Sequence, residues 1–170
     1  MPTSNSQSVS VWVVLAQAAG ILFAVWAIIA GYNYFKPPEI PPAIPGQYSD
    51  TIQWLSVQEG EAQLKEGKKC VLYDFTAGWC HYCQNLEAEV FEVKLVAQFI
   101  NQYFIPVRVM DRNQEDGKNP PEVAALQSKY GVGGFPTQVV RYPNGQSTQQ
   151  VGYAGAQGTV EFLRDAVHLK

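Results

Sequence analysis

The sequence predicts an α/β domain over residues 54–170, and three patterns carry that expectation. The run Val71-Leu72-Tyr73-Asp74-Phe75-Thr76 is apolar on both faces except at Asp74, as in a central strand covered by helices on each side. Leu86, Val90, Phe91, Leu95, Val96, Phe99 and Ile100 then recur at helical spacing. Beyond them strand-like and helix-like segments keep alternating to the C-terminus, and that order is the signature of layered α/β structure.

Taken in order, residues 1–8 form a short polar tail, and from Val9 to Phe35 there is no charged residue. Those positions, at about 1.5 Å each, make about 40 Å of helix, enough to cross a hydrocarbon core of about 30 Å with some tilt. A transmembrane anchor over 9–35 is therefore expected, with Trp12 near one interface and Tyr32 and Tyr34 near the other. A cleaved signal peptide is the competing reading, since Ala16-Gln17-Ala18 has the small residues of a cleavage site. The apolar run is too long for it, and no lysine or arginine precedes the run. Residues 36–53 form a linker whose first part carries Pro37, Pro38, Pro41, Pro42 and Pro45, a composition that excludes helix and favours an extended polyproline strut.

Ser56-Val57-Gln58-Glu59 has the form of a capping box and opens a helix that stops before Gly67. The strand Val71–Thr76 follows, and Cys70 before it is expected to be a packed, structural thiol. A helical pattern runs from Cys80 to Gln102, either as two helices or as one kinked near Glu92-Val93. Phe104 to Met110 reads as the next strand, Asp111 to Pro121 as a polar loop, and Glu122 to Tyr130 as a helix ended by Gly131. Gln138 to Tyr142 and Gln149 to Tyr153 pair across Pro143-Asn144-Gly145, and Ala156 to Leu169 closes the domain as a helix.

The chemistry concentrates at Trp79-Cys80-His81-Tyr82-Cys83, between the central strand and the long helical pattern. A cysteine at a helix start is stabilised as thiolate by unpaired N–H groups and the helix dipole, and a second one turn later faces the same side. Cys80 is thus expected to be the exposed nucleophile and Cys83 the buried resolving thiol. A structural zinc site needs two further ligands, for which only Cys70, His81 and His168 remain, and haem attachment needs a histidine where Gln84 stands. No metal or cofactor is expected.

Asp74-Phe75-Thr76-Ala77-Gly78-Trp79-Cys80-His81-Tyr82-Cys83 resembles the active-site segment of the thioredoxin superfamily, and Gly133-Gly134-Phe135-Pro136-Thr137 resembles its cis-proline loop. Cys83 to Phe91 is similar to the C-terminal thioredoxin-like domain of the DsbD family and its membrane-anchored relatives. The resemblance covers about residues 54–170. It implies a thioredoxin fold, a central mixed sheet flanked by helices, which the transmembrane helix expected from the charge-free run over 9–35 precedes. It also implies roles: Asp74 as proton acceptor for Cys83, with a purely structural hydrogen-bonded aspartate as the alternative, and Phe135 and Pro136 at the substrate-binding loop. Trp79 is expected to form an apolar wall beside the site, with plain packing as its alternative. His81 and Tyr82 occupy the dipeptide that tunes redox potential. A histidine protonated near the thiolate would make the pair more oxidising, so this position leaves the direction of transfer open.

A net charge of −3 without basic blocks gives no support for nucleic-acid binding. The expected function is a membrane-anchored thiol–disulfide oxidoreductase that reduces disulfides of partner proteins. A single span cannot carry electrons across a bilayer, so a separate membrane electron donor is implied. Lys36 alone would place the domain in the cytoplasm. The family resemblance places it on the periplasmic or another extracytoplasmic side. The alternative is a redox-silent thioredoxin-like assembly factor or subunit docked on a membrane complex.

Overall fold

A computed structural model describes residues 11–35, 49–67 and 69–168. The expected tail at 1–8 and the proline-rich part of the linker lie outside the described residues, as do the side chains of Trp12, Tyr32 and Tyr34. The chain divides into two compact units, Met1–Pro37 and Pro38–Lys170. In the first, α1 (Val11–Phe35) is a 25-residue helix. Its described apolar side chains, among them Ile21, Leu22, Phe23, Trp26 and Ile28, are exposed. Among the described residues no helix is long and apolar enough to cross a membrane.

In the second unit the chain forms α2 (Val57–Glu66), β1 (Cys70–Ala77), α3 (His81–Leu86), a π-helical turn (Glu87–Phe91), α4 (Lys94–Tyr103) and β2 (Phe104–Asp111). It continues with α5 (Asn113–Asp116), α6 (Pro121–Tyr130), β3 (Thr137–Arg141), β4 (Ser147–Val151) and α7 (Gly155–His168). The four strands lie in the order β2-β1-β3-β4, with β1 parallel to β2 and antiparallel pairing elsewhere. Just before α2, Leu55 bridges to Val107 on the outer side of β2.

Every residue of β1 is buried, as its apolar composition requires of a strand covered on both faces. Period-two alternation divides its side chains between two cores. Leu72 packs with Leu86, Phe91, Ile100, Phe104 and Leu163, whereas Tyr73 and Phe75 pack with Val107, Val123, Leu126 and Val139. Cys70 is fully buried in the first of these cores.

The capping box is formed: Ser56 Oγ accepts the Glu59 N–H, Glu59 accepts the Ser56 N–H at 2.8 Å, and Gly67 ends α2 in the left-handed region. Gly60 lies where α2 crosses β2, and a Cβ there would come within 2.1 Å of Val107 Cγ2. The long helical pattern is interrupted at Glu92-Val93, and a π-helical turn precedes the break. Periodicity does not foresee that turn, because one widened turn barely disturbs the spacing of apolar residues. The expected loop from Asp111 to Pro121 contains α5, too short to show a period. β4 starts two residues earlier than the pattern places it. Tyr142 N–H bonds to Gln146 O across the turn, and Gly152, at a φ of 80°, ends the strand before Tyr153.

Candidate functional site

At the end of β1 the Cys80 N–H bonds to Ala77 O at 3.1 Å, closing a turn over Gly78 and Trp79 that leads into α3. Cys80 is the N-cap of α3, and its Sγ accepts the Cys83 N–H at 3.1 Å. A helix N-terminus offers such a donor to a sulfur that gains negative charge. Cys80 and Cys83 form a disulfide with their Cα atoms 5.2 Å apart. One expectation is corrected here: Cys80 is only 4% exposed and Cys83 7%, so exposure does not distinguish them in the oxidised state. Both cysteines cluster with Ala77, and Phe135 packs against this cluster.

Trp79 is 50% exposed, with its ring 6.0 Å from that of Phe135 in an edge-to-face arrangement. The Phe135-Pro136 peptide bond is cis. Thr137 Oγ1 donates to Gly134 O, and the Gly152 N–H donates to Pro136 O, which ties the loop to the end of β4. His81 and Tyr82 face solvent, Tyr82 at 63% exposure.

Asp74 is 2% exposed, in the middle of β1 and on the same face as Leu72. Strand register sets Arg108 beside it on β2 and Gln138 on β3. The Arg108 Nε lies 3.2 Å from Asp74 Oδ2, and Gln138 Nε2 donates to Asp74 Oδ1 at 3.3 Å. Burial pushes the carboxyl up from its ordinary 3.8 to about 6, against the opposing pull of Arg108 and Gln138. Arg108 also pairs with Glu87 at 2.7 Å and lies over the Trp54 ring, 4.1 Å from its centroid. Sequence reasoning missed both Arg108 and Glu87. The available signals were a lone basic residue inside the apolar run Phe104–Met110 and a carboxylate one helical stretch beyond the cysteines.

At the top of β2, paired in register with Ala77, Asp111 takes three hydrogen bonds: from the Asn113 N–H, Asn119 Nδ2 and Gln127 Nε2. It borders a cavity of about 310 Å³ that Trp79, Gln114, Gly134 and Phe135 also line. The arrangement therefore combines a helix-capping disulfide, a buried titratable carboxyl on the strand that leads to it, and a groove lined by its neighbours Trp79 and Phe135.

The profile of the thioredoxin-like domain family matches residues 57–166. The chain belongs to this family. As a thioredoxin-like domain with a paired Cys80–Cys83, its site supports thiol–disulfide exchange. It is 35% identical to the protein disulfide-isomerase erp38 of Neurospora crassa over 98 residues, 58% of this chain and 24% of that protein. The chain thus spans about a quarter of the length of such curated relatives. Among solved structures it is similar to the oxidised DsbD C-terminal domain of Neisseria meningitidis. That match has 26% identity and a TM-score of 0.52, covering 64% of this chain and 90% of that one. The fold is also shared with a DsbH oxidoreductase at 20% identity and a TM-score of 0.60, covering 81% of this chain and 99% of that one.

Proposed function

We propose that the chain is a membrane-anchored thiol–disulfide oxidoreductase that reduces disulfides of partner proteins. The observation that carries this reading is the Cys80–Cys83 disulfide capping α3, with titratable Asp74 buried in the strand that leads to it. In the reduced chain the Cys80 thiolate, favoured by the helix start, attacks one sulfur of the partner disulfide. The partner's other sulfur leaves as a thiolate and takes up a proton. Cys83 then loses its proton to the Asp74 carboxylate and attacks Cys80 Sγ, which expels the second partner thiol. Two electrons pass to the partner, whose first sulfur takes its proton from solvent and whose second takes the Cys83 proton released from Asp74, and the Cys80–Cys83 disulfide is restored.

Phe135 and Pro136 hold the partner segment against Trp79, while His81 and Tyr82 set the potential of the pair. The reductive direction is inferred from the resemblance of Cys83 to Phe91 to the DsbD type. Anchoring is inferred from the sequence alone, which carries no charge from Val9 to Phe35. On this reading the domain lies on the extracytoplasmic side and a separate membrane protein re-reduces it.

Trapping tests the roles. Cys83→Ser is expected to accumulate mixed disulfides through Cys80, because the release step has lost its nucleophile, and Cys80→Ser to accumulate almost none. Equal trapping by both variants would defeat the assignment. Absence of a reversible couple in a dithiothreitol titration would favour the redox-silent assembly role. Impermeant maleimide applied to intact cells after mild reduction is expected to label Cys80, and protection until permeabilisation would reverse the orientation.

A further inference from the structure

The groove between Trp79 and the Gly134-Phe135 loop has one aromatic wall and one polar wall. The polar wall carries charge. Asp111 is 7% exposed, and its partners, the Asn113 N–H at 3.1 Å, Asn119 Nδ2 at 2.5 Å and Gln127 Nε2 at 2.8 Å, are all neutral. Burial pushes its carboxyl up, but these hydrogen bonds outweigh burial and hold it below its ordinary value, so it is ionised at neutral pH.

Among the described residues no lysine or arginine pairs with Asp111. The adjacent Arg112 is bonded to Asp116 at 2.7 Å. Glu115 adds a second carboxylate over the turn that precedes the cysteines, its Oε1 only 3.2 Å from where a Cβ on Gly78 would lie. Arg112 acts on Glu115 only through space, its hydrogen bond being made to Asp116.

From this geometry we propose that the groove is a specificity pocket for a lysine or arginine side chain flanking the cysteine of the partner disulfide. The cationic head meets Asp111 and Glu115, and the aliphatic stem lies along Trp79. An acidic residue at that position is repelled. The inference rests on the oxidoreductase reading above and names a substrate class for the same site.

The test uses the full chain in detergent, reduced and freed of reductant, with disulfide peptides that differ only in lysine, glutamine or glutamate beside the cysteine. Each rate is divided by that of the same peptide with dithiothreitol, which removes the intrinsic effect of charge on the thiol. The lysine peptide is expected to exceed the glutamate peptide about five- to tenfold in kcat/KM, mostly through KM, with less difference at high salt. Asp111→Asn and, independently, Glu115→Gln are each expected to shrink that ratio at least twofold. Equal kcat/KM for the lysine and glutamate peptides, or a ratio unchanged in both variants, would overturn the pocket while leaving the oxidoreductase reading intact. Failure of the reduced chain to turn over any peptide would overturn both.

Discussion

Asp74 and Asp111 sit on neighbouring strands of one sheet and are both nearly inaccessible, yet their environments push them in opposite directions. Asp74 has an arginine at 3.2 Å and one amide at 3.3 Å, and still its carboxyl rises to about 6. Asp111 has no cation among its hydrogen-bond donors, only three neutral N–H groups, and falls. Asp74 lies deep in the middle of the sheet, where lost hydration outweighs Arg108 and Gln138, whereas Asp111 lies at the end of its strand, where three donors outweigh a smaller cost of burial. Arg108 also serves Glu87. The chain thus keeps one carboxyl poised to exchange a proton near neutrality and the other ionised there.

Replacing each aspartate by asparagine tests the contrast most strongly. Because folding raises the Asp74 pKa from 3.8 to about 6, its contribution to stability is complete below about pH 4 and is lost as pH rises through 6. The loss reaches about 3 kcal/mol by pH 8. Asp74→Asn is therefore expected to gain about 3 kcal/mol on the unsubstituted oxidised protein between pH 4 and pH 8 in urea unfolding, while thiol exchange slows. A variant that gains nothing at pH 8 would break the comparison.

Asp111→Asn has the opposite sign. The lowered carboxyl stabilises the fold above its ordinary range, and that stability is lost as pH falls through the folded value. A deficit of about 1–2 kcal/mol at pH 7, closing in strong acid, is expected from the same unfolding curves. Arg108→Met sharpens the Asp74 side: without the guanidinium the fall in stability should move up by at least about one pH unit, or 1.4 kcal/mol, with the thioether still packed on Trp54. The smallest effect belongs to Glu87→Gln. Glu87 raises the Asp74 pKa by like-charge repulsion, so its removal should lower the Asp74 midpoint by less than about half a unit in a carboxyl titration.

Much of this was legible in the chain because it is local. The β1 run, the capping box at Ser56, the cysteines at a strand-to-helix junction and the hairpin turn at Asn144-Gly145 each declare themselves within a few residues. A central mixed sheet was expected only through family resemblance, and its order β2-β1-β3-β4 comes from the structure, since periodicity says which segments are strands and not which are neighbours. For the same reason Asp74 was legible as a buried acid, but Arg108, Gln138 and Glu87 around it were not. They converge through strand register and a π-helical turn, both products of tertiary packing. Asp111 read as the start of a loop because its partners at 119 and 127 lie beyond any local pattern. Cys80 read as exposed because a helix start normally is, whereas Phe135, 55 positions later, packs against its cluster.

Gly60 carries no chemistry, yet it bears on how the sequence is free to vary. A side chain there meets Val107 at 2.1 Å, with the rest of the fully buried Val107 side chain behind it. Neither α2 nor β2 has room to yield by the required ångström without opening the core they share. In a saturation library sorted for folded protein, position 60 should return glycine almost alone, while solvent-facing Tyr82 between the cysteines accepts many residues. Recovery of alanine at position 60 as often as glycine would show that the crossing of helix and strand relaxes. Otherwise the narrowest tolerance in the domain falls at an atom that is not there.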